Sequence, residues 1–151
     1  MAMTIKQLKQ TMRSVRENRV EIRELTEKRE EIRARAEKVT QTLTGMPGKT
    51  EAGDKIGGYV SEMAELTGML DKRIHDLTAR ECQVIQWINQ LTDGLHRSVL
   101  LIYYVTGPIN CTWEYVAKQI SYSLDWTLRA HGRALQEMLT IINNKSNHKN
   151  P

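Results

Sequence analysis

The feature that constrains this chain most is a pair of long apolar repeats on either side of the segment Gly45-Met46-Pro47-Gly48. No glycine or proline interrupts the first repeat between Thr4 and Leu43. Apolar side chains recur there about every seven residues, which places one apolar seam along a helix of about 40 residues, roughly 60 Å long. The seam consists of Ile5, Leu8, Met12, Val15, Ile22, Leu25, Ile32, Ala36, Val39 and Leu43, with Arg29 in the same row and a register shift near Arg19.

The second repeat predicts another helix that packs antiparallel on the first. Gly57, Gly58 and Gly68 each cost about 1 kcal/mol in a helix interior relative to alanine, so we expect this helix to fray or begin late at its first end. With only 9 glycines and 3 prolines and 26% charged residues, the composition favours long helices over a sandwich or barrel. The sequence therefore predicts an all-α fold in which residues 1–91 form a coiled-coil-like helical hairpin. The second repeat consists of Ile56, Met63, Leu70, Leu77, Val84 and Leu91, with Val60, Ile74 and Ile88 beside it.

Charge differs between the two arms of this hairpin. Residues 1–44 carry 11 Lys/Arg and 7 Asp/Glu, whereas residues 45–91 carry 5 and 7. Oppositely charged residues at i,i+4 spacing, such as Glu31 and Arg35, favour a solvated helix face over a membrane or nucleic-acid surface. Because a lone hairpin buries little surface, we expect the seam to serve a second subunit or the C-terminal residues as well. Arg19 and Arg29 interrupt the seam where a carboxylate of a second copy could meet them, which suggests a homodimer through the N-terminal helices.

The rest of the composition disfavours several protein classes. The longest apolar stretch, Val99–Val105, has seven residues, far fewer than the roughly 20 that a membrane helix needs. The N-terminus lacks the apolar core of a signal peptide, so we expect a cytoplasmic protein. Cys82 and Cys111 form no cluster with a histidine, which predicts two reduced thiols and no metal site. No phosphate-binding loop, acid pair or nucleophile–base set is present, so neither an enzyme nor a cofactor is expected.

The sequence after the hairpin predicts a separate C-terminal module over residues 92–143. Thr92-Asp93-Gly94 ends the second arm, and an apolar helix from Leu95 to Val105 follows. Gly107-Pro108 ends that helix. Residues 144–151 are polar and are expected to form a disordered tail.

The middle of this module has the plan of a helix-turn-helix. Thr112 is placed to cap a short helix from Trp113 to Ile120, with Tyr115 where a capping box would have Glu. Ser121-Tyr122 predicts a tight turn, and Ser123 is placed to cap a longer helix from Leu124 to about Asn143. A short helix, a tight turn and a longer helix make up this supersecondary structure. The inner positions of the two helices are Val116, Ala117, Ile120, Thr127, Ala130, Ala134 and Leu135.

Residues 112–135 resemble region four of bacterial sigma factors. The resemblance covers about residues 95–139. Because of Trp113, Trp126 and the run His131–Leu135, this sequence is most similar to the ArpU-like phage transcriptional regulators. Tyr122-Ser123 and the preceding Leu100–Gly107 contribute to it as well. The chain departs from the pattern at Ser121, where glycine is usual, and at Thr127, where a β-branched aliphatic residue is usual.

The resemblance implies that the second helix of the module binds in the major groove of double-stranded DNA. Arg129 would donate to guanine, Asp125 would accept from cytosine, and a leucine would touch a thymine methyl group. Hydroxyls at the helix N-termini and a lysine would bind phosphates. The implied DNA-binding residues are Thr112, Trp113, Lys118, Ser123, Leu124, Asp125, Leu128, Arg129 and Arg133.

Some of these residues have a structural alternative. Trp113 and Trp126 are interpreted as packing groups in preference to base-stacking groups, and Asp125 could simply favour the positive end of its helix. Leu128 could be buried, and Arg129 and Arg133 could be ordinary solvated residues. His131 is interpreted as a packed or hydrogen-bonded helix residue.

The resemblance implies a non-enzymatic phage transcription regulator that acts in the cytoplasm of a bacterial host cell, with late-gene activation and contact with RNA polymerase as further implications. One rival is a phage DNA-packaging recognition subunit, similar to a small terminase, which also combines a helix-turn-helix with oligomerising helices. Those proteins generally place the DNA module first, whereas here it comes last. Another rival is a protein-binding module that has lost DNA binding, which the sparse positive charge leaves open.

Overall fold

The computed structural model of the protein describes residues 2–44 and 50–148, and the side chains of residues 43–56 lie outside what it describes. Within these ranges the chain forms five α-helices and one π-helical turn and no β-strand, which confirms the all-α prediction. The predicted breaker segment at 45–48, the side chains of Leu43 and Ile56, and the last residues of the predicted tail lie outside the described residues. The elements are α1 (Ile5–Thr44), α2 (Thr50–Asn89), α3 (Gly94–Leu101), a π-helical turn (Ile102–Thr106), α4 (Trp113–Ile120) and α5 (Leu124–His148).

Helix α2 does not begin late. It starts at Thr50 and runs unbroken through Gly57, Gly58 and Gly68 to Asn89. A Cβ atom at any of these three positions would have no neighbouring described atom within 4 Å, so close packing does not require glycine there. The expectation of a late start was therefore wrong, since all three glycines lie inside the helix.

The chain divides into two compact units. The terminal unit comprises residues 1–20 and 79–151, and the hairpin unit comprises residues 21–78. This division differs from the boundary predicted at residue 91, because both ends of the hairpin arms share a core with the C-terminal helices. Buried members of that core are Leu8, Met12 and Val15 of α1, Val84 and Ile88 of α2, Leu91 just after α2, and Leu100, Tyr104, Val105, Ala134, Leu135 and Met138.

The hairpin unit is held by a narrow apolar seam and two ion pairs between its antiparallel helices. Arg29 contacts Asp71 at 3.1 Å, and Arg73 contacts Glu21 at 2.8 Å. The carboxylate that meets Arg29 therefore belongs to the same chain and not to a second copy. Its seam residues below one tenth exposure are Ile32, Met63 and Leu77.

Helix α3 begins at a capped break and continues into a wider turn. The Asp93 carboxylate accepts hydrogen bonds from the backbone N–H groups of Leu95 and His96, which also lowers the pKa of Asp93. The single helix expected over 95–105 is instead α3 followed by the π-helical turn, which the Gly107 N–H closes by donating to the carbonyl of Ile102 at 2.9 Å. A Cβ on Gly107 would lie 2.3 Å from that carbonyl oxygen, so the turn depends on glycine.

Helix α5 is longer than expected. It continues to His148, so residues 144–148 are helical where the sequence predicted the start of a disordered tail. No glycine or proline occurs between Gly132 and Pro151 to end the helix earlier. Asn143 also ties this end of α5 to the chain start, accepting from the N–H of Met3 at 2.8 Å and donating to its carbonyl at 3.1 Å.

Candidate nucleic-acid interface

Helices α4 and α5 are joined by a turn whose caps match the predicted ones. The Thr112 hydroxyl accepts from the N–H of Tyr115 at 3.2 Å and starts α4. Ser121 ends α4 in the left-handed conformation, at φ 61° and ψ 40°. The Ser123 hydroxyl then accepts from the N–H of Trp126 at 3.1 Å and starts α5. A left-handed residue is the usual way to end a helix tightly, which accounts for the usual glycine at the position of Ser121.

The two helices pack through small and β-branched side chains. Val116 and Ala117 of α4 are buried, as are Ala130 and Ala134 of α5. Thr127 is fully buried, and its hydroxyl donates to the carbonyl of Ser123 at 2.8 Å. The hydroxyl therefore costs little at a position where the sigma-like pattern has an aliphatic residue, because its hydrogen bond is made within the helix.

The first turns of α5 present one continuous exposed face. Leu124 and Leu128 are 39% and 43% exposed, and Asp125, Arg129 and Arg133 are also exposed. Spacings of three and four residues place these side chains together on a helix surface. The structure thus brings together five of the residues that the sequence assigned to the groove, and the alternative of a buried Leu128 was wrong.

Arg129 and Asp125 contact each other on this face. Nη2 of Arg129 lies 2.7 Å from Oδ2 of Asp125, with the two side chains 68% and 73% exposed. Surface pairs of this kind contribute little stability. The contact orients the guanidinium along the helix and leaves its other N–H donors for a further acceptor, as a base-reading arginine requires.

The remaining predicted contacts fall into two groups. Thr112, Lys118 and Ser123 are exposed at or near the ends of α4 and the start of α5. Trp113 is not presented with them, because its indole stacks on Tyr103 with 3.8 Å between ring centroids and 8° between ring planes. The packing alternative for Trp113 is therefore the one that the structure shows.

Trp126 is also used in packing. Its ring stacks on Tyr122 of the turn, with centroids 4.1 Å apart. The stack joins the turn between α4 and α5 to the first turn of α5. A base-stacking role for Trp126 would require this contact to open.

A polar contact behind α5 connects it with the π-helical turn. The hydroxyl of Tyr104 lies 2.8 Å from Nε2 of His131. Burial, together with the nearby charge of Lys9, lowers the pKa of His131 to about 4. Burial also raises the pKa of Tyr104. The imidazole is therefore neutral at pH 7, and it serves as a packed, hydrogen-bonded residue as the sequence suggested.

Two arginines of α1 hold the loop that leads into α4, and sequence reasoning missed this role. Arg16 donates to the carbonyl of Cys111 and lies over the ring of Tyr103, 4.0 Å from its centroid. Arg19 donates to the carbonyl of Gly107 at 2.6 Å. The signal was present as arginines three residues apart beside an apolar seam, but the loop carbonyls they contact are about 90 residues away in sequence.

Charge is unevenly divided between the two units. The terminal unit has 12 Lys/Arg against 6 Asp/Glu, a net charge of +6, whereas the hairpin unit has 10 against 12, a net charge of −2. Much of the positive charge in the terminal unit comes from the start of α1, where Lys6, Lys9, Arg13, Arg16 and Arg19 accompany a single acidic residue, Glu17. The unit that contains α4 and α5 is therefore the basic one.

The described part of the chain was compared with two other kinds of site, a metal centre and a membrane-spanning helix. Among residues 2–44 and 50–148, no three His, Cys, Asp or Glu side chains are grouped closely enough to hold a metal ion. None of the described helices combines the length and apolar character that crossing a membrane requires.

The described elements form an all-helical protein with a long helical hairpin, and α4 and α5 form a helix-turn-helix whose second helix has an exposed polar and apolar face. No protein-family model, curated protein or solved structure matches the chain.

Proposed function

We propose that the protein is a sequence-specific, non-enzymatic transcriptional regulator that binds double-stranded DNA through the start of α5. The observation that carries the proposal is the capped turn at residues 121–123, after which the first turns of α5 present Leu124, Asp125, Leu128 and Arg129 to solvent. A helix presented in this way fits the major groove, while the preceding helix lies across the backbone.

The chemistry of the exposed face supports base reading. Arg129 has free N–H donors for guanine, and the exposed carbons of Leu124 and Leu128 suit a thymine methyl group. Thr112 and Ser123 offer hydroxyls beside helix N-termini, where phosphate oxygens are favoured. Arg133, one turn further along α5, extends the row of donors.

The charge of the terminal unit supports binding to a polyanion. Its net charge of +6 exceeds the +4 of the whole chain, because the hairpin unit is acidic. Positive charge supplies the sequence-independent part of DNA affinity through counterion release. Lys118 on α4 is placed to contribute to this part.

Selection of binding sites from a random pool of duplexes, using the full chain, tests the proposal. A bound consensus is expected, and Arg129→Ala should then lower affinity for it by about 1–3 kcal/mol and relax the preference at one base pair. Affinity can be measured by fluorescence anisotropy with labelled duplexes. No selected consensus, or an Arg129→Ala variant with unchanged affinity and preference, would contradict the assignment.

Two matched variants separate base reading from general charge. Lys118→Ala should weaken binding to all sequences alike and reduce the dependence of affinity on salt. Arg35→Ala is the control for Arg129→Ala, because Arg35 also forms an exposed i,i+4 pair, with Glu31 at 2.5 Å, but lies in the hairpin unit. Affinity and base preference are expected to be unchanged in Arg35→Ala.

The proposal includes a homodimer that carries two DNA-binding modules, and an activating contact with RNA polymerase in the cytoplasm of a bacterial host cell. The dimer has a physical rationale, because one module with few base-reading groups binds weakly and two linked modules bind more tightly. The polymerase contact follows from the resemblance to sigma region four. Transcription in vitro from a promoter bearing the selected site, with and without the protein, tests it.

A further inference from the structure

A second exposed stripe runs along α2 in the hairpin unit, beside the buried seam. The outer stripe consists of Tyr59, Glu62, Leu66, Met69, Arg73 and Asp76. Alternating spacings of three and four residues keep these side chains on one side of a helix, the pattern of a surface that packs on another helix. The apolar members are well exposed, Tyr59 at 40%, Leu66 at 42% and Met69 at 65%.

The hairpin unit buries few apolar side chains of its own, so covering the outer stripe would add to its buried surface. Two helices cannot enclose a core, and the described side chains of this unit below one tenth exposure are only Ile32, Met63 and Leu77. Leu66 and Met69 sit at the middle of the outer stripe and add apolar surface that the hairpin itself does not bury. Burial of apolar surface of this kind is the main driving force for association of helices in water.

The outer stripe of one α2 is complementary to the outer stripe of a second α2 that runs in the opposite direction. Its spacing reads three, four, three, four, three from either end. If two copies of α2 pack antiparallel about a two-fold axis between Thr67 and Gly68, Glu62 faces Arg73 of the partner subunit and Leu66 faces Met69 of the partner subunit. Tyr59 then faces Asp76 of the partner subunit, where its hydroxyl can donate to the carboxylate. Each contact occurs twice, as a two-fold interface requires.

A parallel arrangement would lose this complementarity. It would place Glu62 beside Glu62 and Arg73 beside Arg73, which are like-charge contacts. Arg73 also remains able to make the antiparallel contact. Its Nε and Nη2 atoms contact Glu21 at 2.8 and 3.3 Å within the chain, whereas no described group bonds its Nη1 atom.

We infer that the outer stripe of α2 is the homodimer interface, and that a second copy of this chain packs on it antiparallel. The inference makes the homodimer of the proposed function specific and rests on that part of it, but not on DNA binding. It also replaces the earlier rationale for a dimer, because Arg29 is already paired with Asp71 of its own chain.

Charge reversal at the outer stripe tests the inference. Sedimentation equilibrium of the full chain should show a dimer, and Glu62→Arg should raise its dissociation constant at least about tenfold because two attractive contacts become repulsive. Ala64→Arg is the control, since Ala64 is exposed and lies on the opposite side of α2. A monomeric wild-type chain, or a dimer that Glu62→Arg leaves unchanged, would overturn the inference.

A second variant makes the test independent of misfolding. In Glu21→Arg/Arg73→Glu the ion pair within the hairpin is kept with its charges exchanged, but the substituted side chain at position 73 should repel Glu62 of the partner subunit. This variant and Glu62→Arg are each expected to self-associate at least about tenfold more weakly than wild type, and to form a heterodimer when mixed, since both cross-subunit contacts then become attractive. Failure of the mixture to associate would overturn the inference if helical circular dichroism shows both variants to be folded.

Cross-linking tests the antiparallel direction. Tyr59→Cys and Asp76→Cys are made separately with Cys82→Ser, which removes the exposed native thiol. A short bismaleimide should link the two variants only when they are mixed, because position 59 faces position 76 of the partner subunit, whereas two copies of either position lie about 25 Å apart along the helices. Cross-linking of either variant with itself alone, or an assembly of eight or more subunits, would contradict the two-fold arrangement.

The outcomes separate this inference from the proposed function. A dimer that depends on Glu62 but selects no DNA consensus would leave the interface standing and contradict DNA recognition. A monomer that selects a consensus and loses it in Arg129→Ala would do the reverse.

Discussion

At the scale of single residues, Gly107 closes the π-helical turn through a contact that excludes any side chain. An added Cβ would lie 2.3 Å from the carbonyl oxygen of Ile102 and 3.2 Å from the sulfur of Cys111. Because the first of these atoms belongs to the backbone, Gly107→Ala should force the turn open and lower the free energy of unfolding by about 1–3 kcal/mol. Urea unfolding followed by circular dichroism measures the change.

Gly68→Ala is the matched control for that substitution. Gly68 lies inside α2, and a Cβ there would have no described atom within 4 Å. Its replacement should stabilise the helix by about 0.5–1 kcal/mol, because alanine has the higher helix propensity. If both substitutions shifted stability in the same direction, the close approach at Gly107 would not be the cause.

His131 provides a stability change with pH that can be isolated. Its pKa is about 4 in the folded chain, against an ordinary value of about 6.5, because the ring is buried against Tyr104. The folded state therefore resists protonation, and its stability is complete above about pH 6.5 and falls as the pH decreases towards 4. Between pH 7.5 and pH 5 the loss from this residue should be about 2 kcal/mol.

The measurement compares wild type with His131→Gln at both pH values. The amide can still accept from the Tyr104 hydroxyl but does not titrate, so the variant should lose less stability than wild type over this interval. Subtracting the two removes the contribution of carboxylates, which is common to both proteins. Equal losses in the two proteins would show that the imidazole is not held neutral.

At the scale of elements, the end of α4 depends on one residue in the left-handed region. Ser121 has φ 61°, and among the described non-glycine residues only this one has a positive φ. Glycine adopts this conformation without steric cost, so Ser121→Gly should stabilise the protein by about 0.5–1 kcal/mol, whereas a β-branched residue there should destabilise it. Thermal unfolding measures whether Ser121→Gly raises the stability and Ser121→Val lowers it. A Ser121→Val variant as stable as wild type would contradict the left-handed conformation at this position.

The elements that the sequence predicted well are those set by neighbours in sequence. The caps at Thr112 and Ser123 and the exposed face of α5 depend on residues within one or two turns, so spacing and residue type were sufficient. The π-helical turn was missed because it requires glycine at position 107, where a Cβ atom would lie too close to the carbonyl oxygen of Ile102. The contacts of Arg16 were missed because they depend on residues distant in sequence, whereas residues 144–148 were assigned to a tail from their polar composition although no glycine or proline ends α5 there.

The sequence predicted that the two long helices pair antiparallel, but not which parts of them also pack on the C-terminal helices. Apolar spacing indicated two antiparallel arms, yet it could not show that the outer ends of both arms share a core with α5. That core joins Leu8 to Leu135, residues at opposite ends of the chain. The predicted boundary at residue 91 followed local breakers, whereas the compact units follow this long-range packing.

At the scale of the whole molecule, dimerisation through α2 and recognition through α5 should combine in DNA affinity. When one module of a dimer is bound, the other binds from a raised effective concentration, which can strengthen binding by about a hundredfold or more if the spacing allows both to engage. Wild type should therefore bind a duplex with two copies of the selected site, at the best of several spacings, much more tightly than a duplex with one copy.

Glu62→Arg separates the two contributions. Because it changes the outer stripe and leaves α5 intact, its affinity for a single copy of the site should match that of wild type, while its gain from a second copy should be lost. Arg129→Ala should show the opposite pattern, with weaker binding to one copy and a retained gain from the second. Anisotropy titrations of the three proteins against both duplexes measure these gains in affinity. If Glu62→Arg kept the full gain, the two modules would have to be linked by a surface other than α2.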